Sequence, residues 1–102
     1  MSYVILTSKP GQFRTEVTEG LEPLEAYDYV CFGRKRAGFV IARLTAPTRV
    51  KIVDETPPPV VNFVPSKFLP TFDSVEHARR ELQELARAGG TDFVLRPAEK
   101  AE

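Results

Sequence analysis

Cysteine and histidine are almost absent from this sequence: Cys31 and His77 are the only ones, and there is no tryptophan. A lone cysteine excludes a disulfide within the chain. Nothing else asks for an oxidising compartment, so a reducing, cytoplasmic setting is expected. Zinc sites draw several ligands from Cys and His, more than two residues can supply, and no D-x-D-x-D-G spacing offers a calcium loop. No metal is therefore expected. A serine or cysteine triad would have to be built around His77 alone. Gly33-x4-Gly38 has the glycine spacing of a phosphate loop, but Phe39 and Val40 stand where Lys and Ser/Thr are required. No G-x-G-x-x-G occurs either, so no cofactor is expected.

Charge of one sign is also missing. Lys plus Arg and Asp plus Glu both number 14, which leaves no overall field toward nucleic acid or anionic lipid. No run approaches the ~20 apolar residues of a membrane-spanning helix, and the first ten residues lack the basic-then-apolar layout of a secretory signal. A soluble protein is expected. At 102 residues, with 42% hydrophobic and 27% charged, the chain suits one globular domain spanning residues 1–102.

Residues 3–7 and 13–18 read as short strands, separated by the turn signal Lys9-Pro10-Gly11. Glu16, Glu19, Glu22 and Glu25 fall in a stretch broken by Gly20 and Pro23, which reads as an acidic loop. Residues 26–32 and 39–44 are aromatic and β-branched, with 33–38 between them, and predict a hairpin with a basic tip. After a turn at 45–48, residues 49–54 alternate charge with apolar bulk and complete a three-stranded meander. Pro57-Pro58-Pro59 predicts an extended polyproline connector, and residues 60–64, bounded by Pro59 and Pro65, an edge strand.

Asp73 with Glu76 forms the capping-box spacing that opens a helix over residues 74–88. Val75, Ala78, Leu82, Leu85, Ala86 and Gly89 share its apolar face, while His77 points away with Glu76, Arg80 and Glu84, as a solvated imidazole. Glu76 and Arg80 have the spacing of an i,i+4 ion pair. Gly89-Gly90 predicts the stop, residues 92–96 a last strand closed by Pro97, and residues 98–102 a frayed tail. The fold expected is two-layer α+β: a mostly antiparallel sheet of about five to six strands with one C-terminal amphipathic helix on one face. Its other face is then wet or covered by another chain.

Three surfaces are candidates for function. Arg34, Lys35 and Arg36 lie beside Tyr27, Tyr29, Phe32 and Phe39, and cations among aromatics suit nucleic acid. The RNA-recognition signature nevertheless fails at Arg36, Ala37 and Ala42, and a charged tip that keeps a β-rich chain soluble is the competing reading. Residues 57–72 carry Phe63, Phe68, Leu69 and Phe72 among prolines and valines, more apolar bulk than a loop usually holds. This arm either covers the sheet or docks a partner. Tyr27, Tyr29 and Arg43 are candidates for orienting an anionic ligand in a pocket between sheet and arm. Cys31, between Val30 and Phe32, suits a small buried hydrophobe. With no catalytic set in view, the leading expectation is a non-catalytic binding or accessory module. It would act on a protein partner or a second copy through the exposed sheet face and the proline-rich arm. A small enzyme or ligand binder is the alternative, and a nucleic-acid binder the third.

Overall fold

The computed structural model describes residues 2–89 and 93–98; Gly90, Asp92 and residues 99–102, which enter the stop, last strand and tail predicted above, lie outside the described residues. The elements are β1 (Ser2–Ser8), β2 (Phe13–Glu16), β3 (Leu21–Cys31), β4 (Arg34–Leu44), β5 (Arg49–Asp54), β6 (Val61–Pro65), a 3-10 turn (Ser66–Phe68), α1 (Val75–Ala88) and β7 (Phe93–Pro97). The α+β class, the antiparallel pairing and the single helix are as expected. The described strands, however, form two sheets, a four-stranded one in the order β1-β4-β3-β7 and a three-stranded one in the order β2-β5-β6.

The meander breaks after its second strand. β4 pairs with β1 on one side and β3 on the other, so it has no edge left to offer β5. The turn at 45–48 instead carries the chain across to the second sheet, where β5 sits between β2 and β6. This placement also changes what covers the first sheet. Ala37, Phe39 and Ile41 of β4 face the helix residues Ala78 and Leu82. Val4, Leu6 and Ala42 face the other way and are buried with Val50 of β5. The second face predicted to be open is therefore covered at β1 and β4 by the chain's own β5. Alternation along β1 and β4 supplies both layers, since successive side chains leave a strand on opposite faces.

The acidic stretch is a loop only over residues 17–20, with Glu16 ending β2. Residues 21–25 belong to β3, where Pro23 is accommodated at a register shift between Pro23 and Glu25. The acids are held by bases, Glu22 by Arg43 at 3.1 Å and Glu25 by Arg79 of the helix.

The β3–β4 connection is also tighter than expected. Only Phe32 and Gly33 lie between the strands, with φ of +50° and +75°. Positive φ at both central residues is what a two-residue type I′ turn requires. Arg34, Lys35 and Arg36 are thus the first residues of β4 and not a loop tip.

Residues 55–59 likewise reverse the chain between β5 and β6. The Asp54 N–H donates to the Val60 carbonyl at 2.8 Å and the Thr56 N–H to Asp54 Oδ1 at 2.9 Å. The prolines sit in that hairpin loop, with a cis peptide between Pro57 and Pro58, so the extended connector is not formed. β6 is an edge strand, as its flanking prolines predict.

The helix begins one residue later than predicted. Ser74, in extended conformation, is its N-cap and accepts from the His77 N–H at 3.0 Å, so the Asp73–Glu76 box is not made. Glu76 lies 3.8 Å from Arg79 and not beside Arg80. Ala78 and Leu82 are buried, but Leu85 stays 50% exposed at the far side of the stripe. Phe72 anchors the entrance through two hydrogen bonds with Tyr3, of 3.0 and 2.8 Å, and packs against the edge of the His77 ring. None of the described helices is long and apolar enough to cross a membrane.

Candidate binding surface

The polar group that most clearly ties the helix to the sheet is one the sequence reading missed. Glu25 of β3 accepts from Arg79 Nε at 2.8 Å and from Arg79 Nη2, and Tyr27 donates its hydroxyl to Glu25 Oε1 at 2.6 Å. These bonds form because Tyr27 lies under α1 while Glu25 emerges at its margin. The Arg79 hydrogen bonds hold the Glu25 carboxyl down at about 2, against the opposing effect of burial, while burial and the bond to Glu25 raise the Tyr27 phenol. No signal of spacing links residues 54 apart, so this clamp was invisible in the sequence.

The sign of its pH dependence follows. A carboxyl depressed in the folded state adds stability above its unfolded value, and that stability fades as pH falls from about 4.5 toward 2. Arg79 is partly exposed, so the contribution is set at about 1 kcal/mol. Glu25→Gln should cost that amount at pH 7 and almost nothing at pH 2, as measured by urea unfolding at the two pH values.

The aromatic candidates for a ligand pocket pack against the core beneath the helix. Tyr29 stacks on Phe93 at 4.7 Å between centroids and meets Phe39 edge-on at 6.2 Å, beneath the helix. Arg43 pairs with Glu22 and stands four residues along β4 from Phe39, the cross-strand partner of Tyr27, roughly 13 Å away along the strand. Tyr27, Tyr29 and Arg43 are not brought together around one cavity. The groove that does lie between sheet and arm is lined by Ile5, Leu69, Pro70, Phe72, Glu81 and Leu85, and holds about 420 Å³.

The basic triplet is divided as well. Arg36 is the extra residue at a register shift, where Tyr29 pairs with Ala37 and Val30 with Lys35, and Lys35 is engaged by Asp28 at 3.1 Å. Of the aromatics nearby, Tyr27, Tyr29 and Phe39 are packed, leaving Phe32 as the exposed one, at 77%. Phe32 holds φ of +50°, a region that costs a bulky side chain about 1 to 2 kcal/mol. Phe32→Asn supplies the residue a type I′ turn favours, and should raise stability by about 1 kcal/mol in urea unfolding. Destabilisation would mean that the ring makes packing contacts.

The arm is where apolar surface remains. Phe63 is 54% and Phe68 69% exposed, with Val60 and Val61 each 48% exposed in the same stretch. Lys67 Nζ lies 5.3 Å from the centre of the Phe68 ring, a cation–π contact at the surface. Leu69 and Phe72, by contrast, turn inward against the two cores. The arm is therefore divided: Leu69 and Phe72 cover the sheet, while Phe63 of β6 and Phe68 of the 3-10 turn stand in solvent. Among the described residues no cluster of three or more His, Cys, Asp or Glu is placed to hold a metal ion. Cys31 is buried.

The chain matches no protein-family model, no curated protein and no solved structure. Its own geometry is therefore the ground for assigning it a role.

Proposed function

We propose that this chain is a non-catalytic binding module, a single cytoplasmic domain that docks on protein through β6 and the adjoining arm. The observation that carries the reading is the set of exposed apolar side chains Val61 and Phe63 on β6 with Val60 and Phe68 just beyond its two ends, beside a strand edge that has no neighbour among the described residues. Soluble chains seldom leave such residues contiguous, and patches of this kind mark interaction sites. The one cysteine, free and buried, suits a reducing compartment.

The test is site-specific photocrosslinking in cells. A photoreactive side chain at Phe68 should give protein adducts, while one at Arg80, on the solvent side of α1, should give few. Equal labelling at the two sites, or adducts to nucleic acid alone, would refute the reading.

The groove of about 420 Å³ between β1, the arm and α1 favours a second reading, a small-molecule binder. Its walls are apolar apart from Glu81 and Thr7, which suits an apolar ligand with a cationic or donor group. Native mass spectrometry of freshly purified protein separates the two, since a co-purified small molecule adds a fixed mass below that of a chain.

A further inference from the structure

The reading of β6 as a docking edge leaves its occupant open, and the hydrogen-bond pattern of that edge narrows it. In the β5–β6 ladder the Asp54 N–H donates to the Val60 carbonyl and the Ser66 N–H to the Thr48 carbonyl, both at 2.8 Å. Bonded and non-bonded pairs alternate along an antiparallel ladder. Val60, Asn62 and Val64 therefore turn their backbone groups toward β5, and Val61, Phe63 and Pro65 turn theirs outward. The free edge offers two N–H donors and three carbonyls.

The other described edges are obstructed. β1 is bridged by Phe72, and β2 is met by Ser8 Oγ at the Thr15 N–H and by the Thr7 carbonyl at the Thr15 hydroxyl. β7 carries Arg96 and ends on Pro97. β6, with the sequence VNFVP, bears no charge at all and so lacks the edge lysine that usually discourages pairing.

Resting on the docking reading above, we propose that β6 pairs antiparallel with β6 of a second copy of this chain, about a two-fold axis at Phe63. Phe63 then exchanges both backbone bonds with its counterpart. The Val61 N–H of each copy donates to the Pro65 carbonyl of the other. All four outward donors are satisfied, and the donor that proline lacks faces only the Val61 carbonyl, which stays open to water. A two-fold at Asn62 also forms four bonds but sets Pro59 opposite Pro65, two donorless rings at one rung. Pro65 thus fixes the register as well as ending the strand. On the outer face Phe63 meets Phe63 and Val61 meets Pro65, with no like charges opposed. The two three-stranded sheets join as β2-β5-β6-β6-β5-β2.

Native mass spectrometry and light scattering of the full chain test this. The wild type should show a species of twice the 11.4 kDa chain mass at tens of micromolar, on the order expected of a small strand-paired interface. Phe63→Glu sets a carboxylate beside Lys51 of its own chain, its cross-strand partner, and so preserves the fold. It also opposes two carboxylates across the axis, and should weaken the dimer at least tenfold with unchanged circular dichroism. Phe63→Cys should give a covalent dimer on oxidation, because Cα atoms of a bonded pair lie about 5.5 Å apart, within disulfide reach. A wild type that stays monomeric at several hundred micromolar overturns the proposal. So does a dimer indifferent to Phe63→Glu that fails to cross-link through Phe63→Cys. A monomeric wild type whose Phe68 still cross-links to other proteins would remove self-pairing alone, and loss of both would remove the docking reading too.

Discussion

Leu82→Ala should lower the unfolding free energy by about 3 kcal/mol, a large part of what a chain of this size possesses. Leu82 is 1% exposed and packs with Ala78 against Ala37, Phe39 and Ile41 of β4. Removing its three terminal carbons leaves a space that a rigid sheet on one side cannot close, so the cavity adds to the lost burial. Leu85→Ala, one turn away on the same stripe, should cost less than about 1 kcal/mol, because Leu85 already keeps half its surface in water. Equilibrium urea unfolding of the two variants gives the comparison, with the slope expected to stay constant. Equal losses would mean that α1 lies differently on the sheet from the packing described here.

That contrast marks the limit of what periodicity reveals. Val75, Ala78, Leu82 and Leu85 are correctly grouped by 3.6-residue spacing, but spacing cannot say how far the sheet extends beneath the stripe. The same holds for the strands. Residues 3–7 are recognisable as a β-prone run before a turn signal, 49–54 from alternation, and 60–64 from the prolines that bound them. Their partners are not, because an alternating strand fits any free edge and only the filling of both β4 edges sends β5 to a second sheet.

The misplaced basic tip has a more local cause. A two-residue turn is legible when it reads Asn-Gly or Asp-Gly. Phe32-Gly33 hides the signal, since a phenylalanine with positive φ is what propensity argues against. The acidic stretch fails for the converse reason. Pro23 argues against a strand, yet a register shift in β3 accommodates it while Arg43 and Arg79, distant in sequence, hold the acids on either side. In the candidate surface, Phe63 and Phe68 were visible as apolar residues in a proline-rich setting. Which of the neighbouring aromatics turn inward was not, because Phe72 is fixed by its bridge to Tyr3 and no local pattern encodes that pairing.

Gly89→Ala carries the second large effect, and the helix end shows why. A glycine after a helix is usually there for a left-handed conformation that other residues resist. Gly89 instead has φ of −77° and ψ of −7°, which alanine adopts freely. On backbone grounds alone the substitution would be neutral or mildly stabilising. What forbids it is proximity. A Cβ on Gly89 would stand 2.7 Å from Phe93 Cδ2 and 2.9 Å from Cγ, and would collide with the Tyr29 hydroxyl oxygen. Those rings stack on one another at 4.7 Å, so neither can swing aside without opening the packing between α1, β3 and β7. Overpacking of this kind costs about 2 kcal/mol. Phe93→Leu should cost less on its own and should relieve much of the Gly89→Ala penalty when the two are combined, a coupling that a double-mutant cycle in urea measures directly. Additive losses would show that the Phe93 ring is not what the glycine makes room for, and would leave the Tyr29 hydroxyl as the obstacle.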